Sequence, residues 1–576
     1  MASKESLPFK RVVIVGAGFS GLAMACQLKQ KLRCHDFVIY DRGAGFGGTW
    51  LFNTYPGCGV DIPAVLYSLS YAQNPDFSNF FPKQDEVLEY INNVVDRFNL
   101  PGHLVGNTDW TGASWQDDTK TWLVKLKDLS TGQEYVQRCS ILISAVGALT
   151  NPNPFYAPGI DRFQGHIIHT ARWDHGVSLR DKDVIVIGNG ASATQLVPAV
   201  VGEVRSITQF IRVGSLSPGF WRNVANQPWQ SSQYILPGGD NTIITPFWRT
   251  VFRYLPGVLR SLRLLTFLYL ETSTPQFNTT EQGAKMRMQT AEISESYIKA
   301  TAPAQYWPLL MPEHEVGCKR RVFDHNGYIA SLNRENVHLT DDPIVAVNER
   351  SVVTKSGTTY PADVIVLANG FALTQFDADL RGRHGRSRSE HWKDVGYIEA
   401  FHSIGMAGFP NFFYILGPNS GRGHTSAVLS IENYTNLISR VIKPVIAGTA
   451  LSVEPKSSSE KEYNERLHGA LEKTVFTNAC RSWYIDAKTG YNWAVYPWSS
   501  FYMWWTTQVA GLGGWVYELP KGKPKSATHP FLLSVALSVL MVTLALWLYE
   551  IEPLAISNIE PDQWIGLACN ALHETS

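Results

Sequence analysis

The sequence predicts an α/β protein with two Rossmann-like dinucleotide-binding domains, one inserted into the other. A helical insertion and a C-terminal transmembrane helix complete the expected architecture. Three observations predict it. Two glycine-rich turns, Gly16-Ala-Gly18-Phe-Ser-Gly21 and Gly188-Asn-Gly190-Ala-Ser-Ala193, each stand between an apolar run and an apolar-rich helix-like segment. Two later apolar runs, 141–147 and 363–370, end in small residues and read as returns to a dinucleotide sheet. Residues 531–549 form a stretch without a formal charge.

The elements follow in order. Residues 11–15 read as a buried parallel strand, Gly16 to Gly21 as the turn, 22–32 as a helix and 37–40 as the next strand, ending at Asp41. That is a βαβ unit, the context that makes a glycine turn informative. The same grammar returns with a strand at 183–187, a turn at 188–193, a helix at 194–201 and a strand at 204–211 followed by Arg212. From the 240s to Glu315 the chain turns helical and aromatic, which predicts a helical insertion over the active site. Residues 520–526 are rich in Pro, Gly and Lys and read as a linker.

Bulk composition narrows the function. A chain of 576 residues implies several domains, and 44% apolar against 17% charged residues excludes global disorder. Lys plus Arg equals Asp plus Glu at 50 each, so no basic excess points to nucleic acid. The seven cysteines are scattered without CxxC, which argues against a zinc site, a disulfide framework and a dithiol reductase, and suits a reducing compartment. No metal site is expected. As a helix, 531–549 would span roughly 28 Å, near the thickness of a bilayer's hydrocarbon core. Lys521, Lys523 and Lys525 precede it, and only acidic charges follow it, including Glu550, Glu552 and Asp562. The expectation is a single-pass C-terminal anchor with the enzyme facing the cytosol.

Two dinucleotide sites in one chain, joined by Phe163-Gln-Gly165-His-Ile-Ile-His169-Thr-Ala-Arg-Trp173-Asp174, point to a flavoenzyme that takes hydride from a nicotinamide and passes it to oxygen. The first turn is assigned to FAD. Gly16 permits the tight turn, Gly18 lets backbone approach the pyrophosphate, Gly21 lets helix and strand pack, and Asp41 is placed to accept the ribose hydroxyls. The second turn, Gly188, Gly190, Ala191, Ser192, Ala193 and Thr194, is assigned to the nicotinamide cofactor. Arg212, next to Val213, lies where a 2′-phosphate would sit, which selects NADPH over NADH; Lys319 adds a second charge.

At the 163–174 stretch the chain resembles the type I Baeyer–Villiger monooxygenases, whose fingerprint is FxGxxxHxxxW(P/D). Trp173-Asp174 separates it from the related N-oxygenases. Gly47-Gly48-Thr49-Trp50, followed by Tyr55-Pro56-Gly57 and Asp61, resembles the GGTW…YPGxxxD block of that family. The resemblance covers roughly residues 11–520. It implies that Thr49, Trp50, Leu51, Phe52, Asp61 and Tyr67 line the flavin, with Gly59, Val60 and Ile62 in the same block. Gly59 stands where relatives often carry arginine, and Asp41 where they usually carry glutamate. Gly317-Cys-Lys-Arg-Arg321 resembles the block carrying the catalytic arginine, which implies Arg320 in that role, Arg321 as the fallback and Asp61 as its orienting partner. The implied chemistry develops negative charge on oxygen twice, and a fixed guanidinium in a dry site stabilises both charges. His169 and Trp173 are implied to work in domain movement rather than at substrate, and Trp483 to close over the nicotinamide. The aromatic group Trp493, Tyr496, Trp498, Phe501, Tyr502, Trp504 and Trp505 reads as core and pocket wall.

The expected organisation is therefore an FAD-binding domain at 1–150, an NADPH-binding domain with helical insertion at 151–375, an FAD-domain return at 376–520, a linker at 521–530, the span at 531–549 and a tail at 550–576. The expected reaction inserts one oxygen atom of O2 beside a ketone carbonyl, giving an ester or lactone. A membrane-associated enzyme of the fungal secondary-metabolism kind is implied. N- or S-oxygenation is the first alternative and a non-catalytic, membrane-tethered flavoprotein the second. Expected partners are a small-molecule ketone, O2 and, through the C-terminal helix, a membrane. Oligomeric state is left open.

Overall fold

The computed structural model describes residues 5–211, 233–238, 241–319, 321–478, 482–486 and 488–520. Two sheets dominate. The first has the strand order Asp379–Arg381, Thr108–Gln116, Thr121–Asp128, Glu134–Ser144, Glu5–Val15, Phe37–Tyr40 and Leu104–Val105, with Phe412–Tyr414 also pairing on Glu134–Ser144. Its half around Glu5–Val15 is parallel, with Val13 opposite both Val38 and Leu142. A parallel strand covered on both faces must be apolar throughout, and Val12, Val13 and Ile14 are fully buried. The helix Phe19–Gln30 is buried from Phe19 to Leu28. It is buried on nearly every side because it lies inside the core, with the helix Ala427–Ile446 packed against it.

The second sheet is wholly parallel in the order Val337–Thr340, Ser206–Phe210, Asp183–Ile187, Val364–Leu367 and His166–His169. The run 363–370 therefore returns to this sheet, beside Asp183–Ile187. Later strands, Asp379–Arg381 and Phe412–Tyr414, return to the first sheet. Helices Pro246–Tyr254, Pro256–Glu271 and Glu281–Thr301 form the helical insertion.

Two dinucleotide-type sheets, one wholly parallel and one parallel around Glu5–Val15, agree with the expected α/β class. The membrane-spanning helix, with the membrane partner and cytosol-facing anchor that depended on it, is corrected. Among the described residues no helix is long and apolar enough to cross a membrane. The longest, Glu281–Thr301 and Ala427–Ile446, carry charges such as Lys285, Arg287, Glu432 and Arg440. The run 531–549 lies outside the described residues.

Candidate active site

The first turn is shaped by what its glycines touch. Gly16 has φ 110°, and a Cβ there would lie 2.4 Å from the Ala145 carbonyl oxygen. A Cβ on Gly21 would lie 1.9 Å from the Gly16 carbonyl oxygen, so only glycine lets the helix close onto the turn. Gly18 begins the helix in extended conformation without a side-chain cap, which leaves its first-turn N–H groups for an anion. Asp41 secures the same turn. The Ala17 N–H donates to its Oδ2 and the Gly43 N–H to its Oδ1, each at 2.6 Å. Burial pushes this carboxyl up, against those two N–H bonds and the nearby Arg42 charge.

Gly48, at φ 53°, backs onto Gly18, where a Cβ would lie 2.8 Å from the Gly18 Cα. The residues Thr49, Trp50, Leu51 and Phe52 form one helical turn directly behind it. The Tyr67 ring meets Trp50 and Phe19 edge-on at 5.5 Å. The aromatic block expected around the flavin is thus gathered at the first turn.

The second turn repeats the plan. Gly188 has φ 121°, with a would-be Cβ 2.3 Å from the Ala368 carbonyl oxygen. Gly190 starts the helix Ala191–Val200, again without a side-chain cap, and a Cβ on it would meet nothing within 4 Å. Ala193 is fully buried and Thr194 nearly so, while Ala191 and Ser192 are half-buried at the mouth. Arg212 and Val213 lie outside the described residues.

The two turns are tied by a clamp that motif reading did not find. The Tyr55 hydroxyl donates to Gln195 Oε1 at 2.7 Å, and Gln195 Nε2 donates to the Gly59 carbonyl at 3.0 Å. Gly57, at φ 80°, sits against the Gln195 carbonyl. Val60 and Ile62 are buried beside it. Asp61 lines one cavity with Ala191, Thr194 and Gln195 of the second turn and with 322–326. His325 stacks on Phe81 at 4.2 Å, and its Nε2 lies 3.2 Å from the Val60 carbonyl. Burial lowers its pKa while the Asp61 charge opposes the shift. Lys83 flanks Gly59, its Cδ 3.3 Å from where a Cβ would stand, and its Nζ donates to Asn326 Oδ1 at 2.5 Å. A half-buried cation therefore stands beside Gly59.

Arg320 lies outside the described residues, but both flanks are defined. Upstream, Gly317 at φ 93° leans on Phe277 and Val475, and burial lowers the Lys319 pKa. Cys318 is disulfide-bonded. Downstream, Arg321 Nη1 donates to the Gly423 carbonyl at 2.5 Å and the guanidinium lies 4.7 Å over the Phe323 ring. Gly423 belongs to a charged cluster that sequence reading missed. His424 Nε2 stands 2.9 Å from Glu271 Oε1, Arg422 Nη2 stands 3.5 Å from the same oxygen, and the Ser500 N–H donates to Oε2 at 3.0 Å. Burial would raise the Glu271 pKa, but the His424 hydrogen bond and the Arg422 charge outweigh it and hold the carboxyl at about 2.

His169 sits at the domain link. Its Nδ1 accepts from the Ala171 N–H at 2.9 Å, so its Nε2 carries the proton and donates to the Gly370 carbonyl at 3.1 Å. Burial lowers its pKa, which favours this neutral tautomer. Trp173 packs against the core. Trp483 is exposed, edge-on to Tyr484 at 4.6 Å.

Two uncapped helix N-termini, each at the end of a parallel strand and preceded by glycines that no side chain fills, fit the pyrophosphates of FAD and NADPH. The comparisons agree. The flavin-binding monooxygenase-like family matches residues 9–216. The Baeyer–Villiger monooxygenase of Streptomyces coelicolor is 32% identical over 499 residues, covering 84% of this chain and 88% of that one. The FAD-binding monooxygenase ktnD of Aspergillus niger is 32% identical over 487 residues, covering 82% and 76%. Oxidized steroid monooxygenase bound to NADP superposes with a TM-score of 0.74 at 26% identity, over 89% of this chain and all of that one, 100%. The closed form of cyclohexanone monooxygenase gives 0.73 at 26%, over 90% and 100%. The chain belongs to the Baeyer–Villiger monooxygenases. FAD and NADPH are its cofactors, and its reaction uses O2 to insert oxygen beside a ketone carbonyl.

Proposed function

We propose that the substrate is a bulky, apolar ketone, converted to an ester or lactone within a biosynthetic pathway, and that Arg320 supplies the catalytic charge with Asp61 orienting it. One observation carries the reading: Asp61, the helix of the second turn and the strand immediately after Arg320 line a single cavity. FAD, when bound, receives hydride from NADPH and activates O2. This chain's residues do the rest. The Gly16–Gly21 and Gly188–Thr194 turns hold the two pyrophosphates, and the half-buried Lys83 replaces the arginine absent at Gly59. Lys319 and Arg212 hold the 2′-phosphate. Arg320 stabilises negative charge at the reacting oxygens, while Arg321 stays committed to the Gly423 carbonyl and Phe323. Aromatic walls support the choice of a large substrate. Phe277 and Phe476 stack at 5.1 Å beside Gly317 and Gly423. Related solved structures are a steroid monooxygenase and a cyclohexanone monooxygenase. Trp483, exposed on its loop, closes the nicotinamide side.

The test is incubation of purified protein with NADPH, oxygen-18 gas and a panel of small and polycyclic ketones, followed by product mass. The expected product is an ester or lactone carrying one oxygen-18, with the larger apolar ketones turned over best. Oxygenation confined to amines or thioethers, or to the smallest ketones, overturns the reading.

A further inference from the structure

We propose that His391, Glu399 and Glu460 bind a structural zinc ion in the part of the chain that returns to the first sheet. His391 lies in the helix Arg388–Val395, fixed at its start by a capping box between Ser387 and Glu390. Glu399 follows in the next loop, held there by the Trp392 indole N–H, which donates to the Glu399 carbonyl at 2.9 Å. Glu460 comes from the first turn of the helix Ser457–Leu471. The three side chains converge from separate elements. His391 Nε2 is 3.8 Å from Glu399 Oε1 and 3.4 Å from Glu460 Oε1, and one ligand atom from each residue lies within 4.8 Å of the others.

All three residues are nearly inaccessible, at 4%, 2% and 2% exposure. Buried polar atoms ordinarily find partners, yet neither His391 ring nitrogen, nor Glu399 Oε2, nor Glu460 Oε1 makes a hydrogen bond. Asn464 lies against the Glu399 carboxyl, and its Oδ1 also lacks a hydrogen-bond partner. Glu460 is already oriented from behind, since the Ala407 N–H donates to its Oε2 at 3.1 Å. Two carboxylates this close in a dry core repel each other, and a divalent cation neutralises both.

The donor set selects the metal. Imidazole with carboxylates and no thiolate suits zinc, whereas calcium and magnesium want about six oxygen ligands. Tetrahedral zinc with bonds of about 2.0–2.1 Å places its ligands roughly 3.3 Å apart, close to the two spacings seen here. A fully buried ion is structural: it staples two helices and the intervening loop, and none of its ligands belongs to a dinucleotide turn. The ligands are too far apart in sequence for any short motif to reveal them.

The experiment is elemental analysis of untagged, full-length, FAD-loaded protein produced with added zinc and then desalted. The result expected is about one zinc per FAD, falling below roughly a tenth in His391→Gln and in Glu460→Gln while FAD content is kept. If a variant does not fold, X-ray absorption at the zinc edge of the wild-type protein decides. A shell of nitrogen and oxygen alone supports the site, and sulfur in the shell overturns it. Wild-type protein without zinc, or zinc retained by both variants, overturns it as well and leaves a buried carboxyl pair sharing a proton.

Discussion

Gly190→Ala separates the binding role of the second turn from its structural role. Gly190 has φ −75° and ψ −176°, an extended conformation open to alanine, so the exchange brings no backbone strain. Its Cβ meets no protein atom within 4 Å, so the fold has room for the methyl group. The open side faces the uncapped helix N-terminus proposed to hold the NADPH pyrophosphate. A methyl there pushes the phosphate off the first-turn N–H groups. A hydrogen bond to a charged group contributes about 1.5–3 kcal/mol, so losing one weakens NADPH binding by about tenfold to a hundredfold. FAD content and thermal midpoint should stay near wild type. Stopped-flow reduction of the flavin against NADPH concentration measures the dissociation constant directly, with flavin absorbance reporting FAD content. An unchanged NADPH constant, or loss of FAD as the main effect, refutes the assignment of this turn.

Gly21→Ala should act on the other cofactor: its Cβ would lie 1.9 Å from backbone, so the helix must shift, and purified protein should carry less than about a tenth of its FAD. Full FAD occupancy by absorbance would contradict this. Lys83→Met should raise the KM for NADPH about tenfold with little change in kcat, the signature of lost ground-state binding; an unchanged KM would remove Lys83 from the cofactor site. Acid should destabilise the fold. Burial holds His402, His424 and His468 at about 4 against an ordinary 6.5, and shifts His103, His169, His325 and His338 the same way. The unfolded chain therefore takes up protons that the fold refuses, so stability present above pH 6.5 is lost as pH falls toward 4. Glu399, pushed up to about 8 by burial and Glu460, offsets one of these protons where no cation is bound. The net slope is about 2–3 kcal/mol per pH unit, read as a falling thermal midpoint between pH 7 and 5, and a flat midpoint would contradict it.

What could be read from sequence was local. Strand, glycine turn and helix follow one another within a few residues, so both dinucleotide units and the class of fold were visible. The aromatic block at 49–52 was visible through its resemblance to relatives, and it does gather at the first turn. The clamp of Tyr55 and Gln195 was not, because its partners are 140 residues apart. Glu271 and His424 are separated by 153 residues, and only the fold turns an ordinary helical glutamate into the partner of a buried histidine and arginine. Lys83 reads in sequence as a surface lysine; a backbone bridge to Gly59 is what brings it beside the Asp61 segment. The uncharged run at 531–549 met the length and flanking-charge criteria for a span, but those criteria read composition and carry no packing information.

The central claim is that one guanidinium beside Asp61 stabilises the charge developing on oxygen. Arg320→Ala tests it in a single preparation, with stopped-flow flavin reduction and ester yield from a ketone measured side by side. The account predicts flavin reduction by NADPH within a few-fold of wild type and ester yield reduced at least about a thousandfold. Ester formation that survives the substitution, or flavin reduction that fails along with it, would contradict the account.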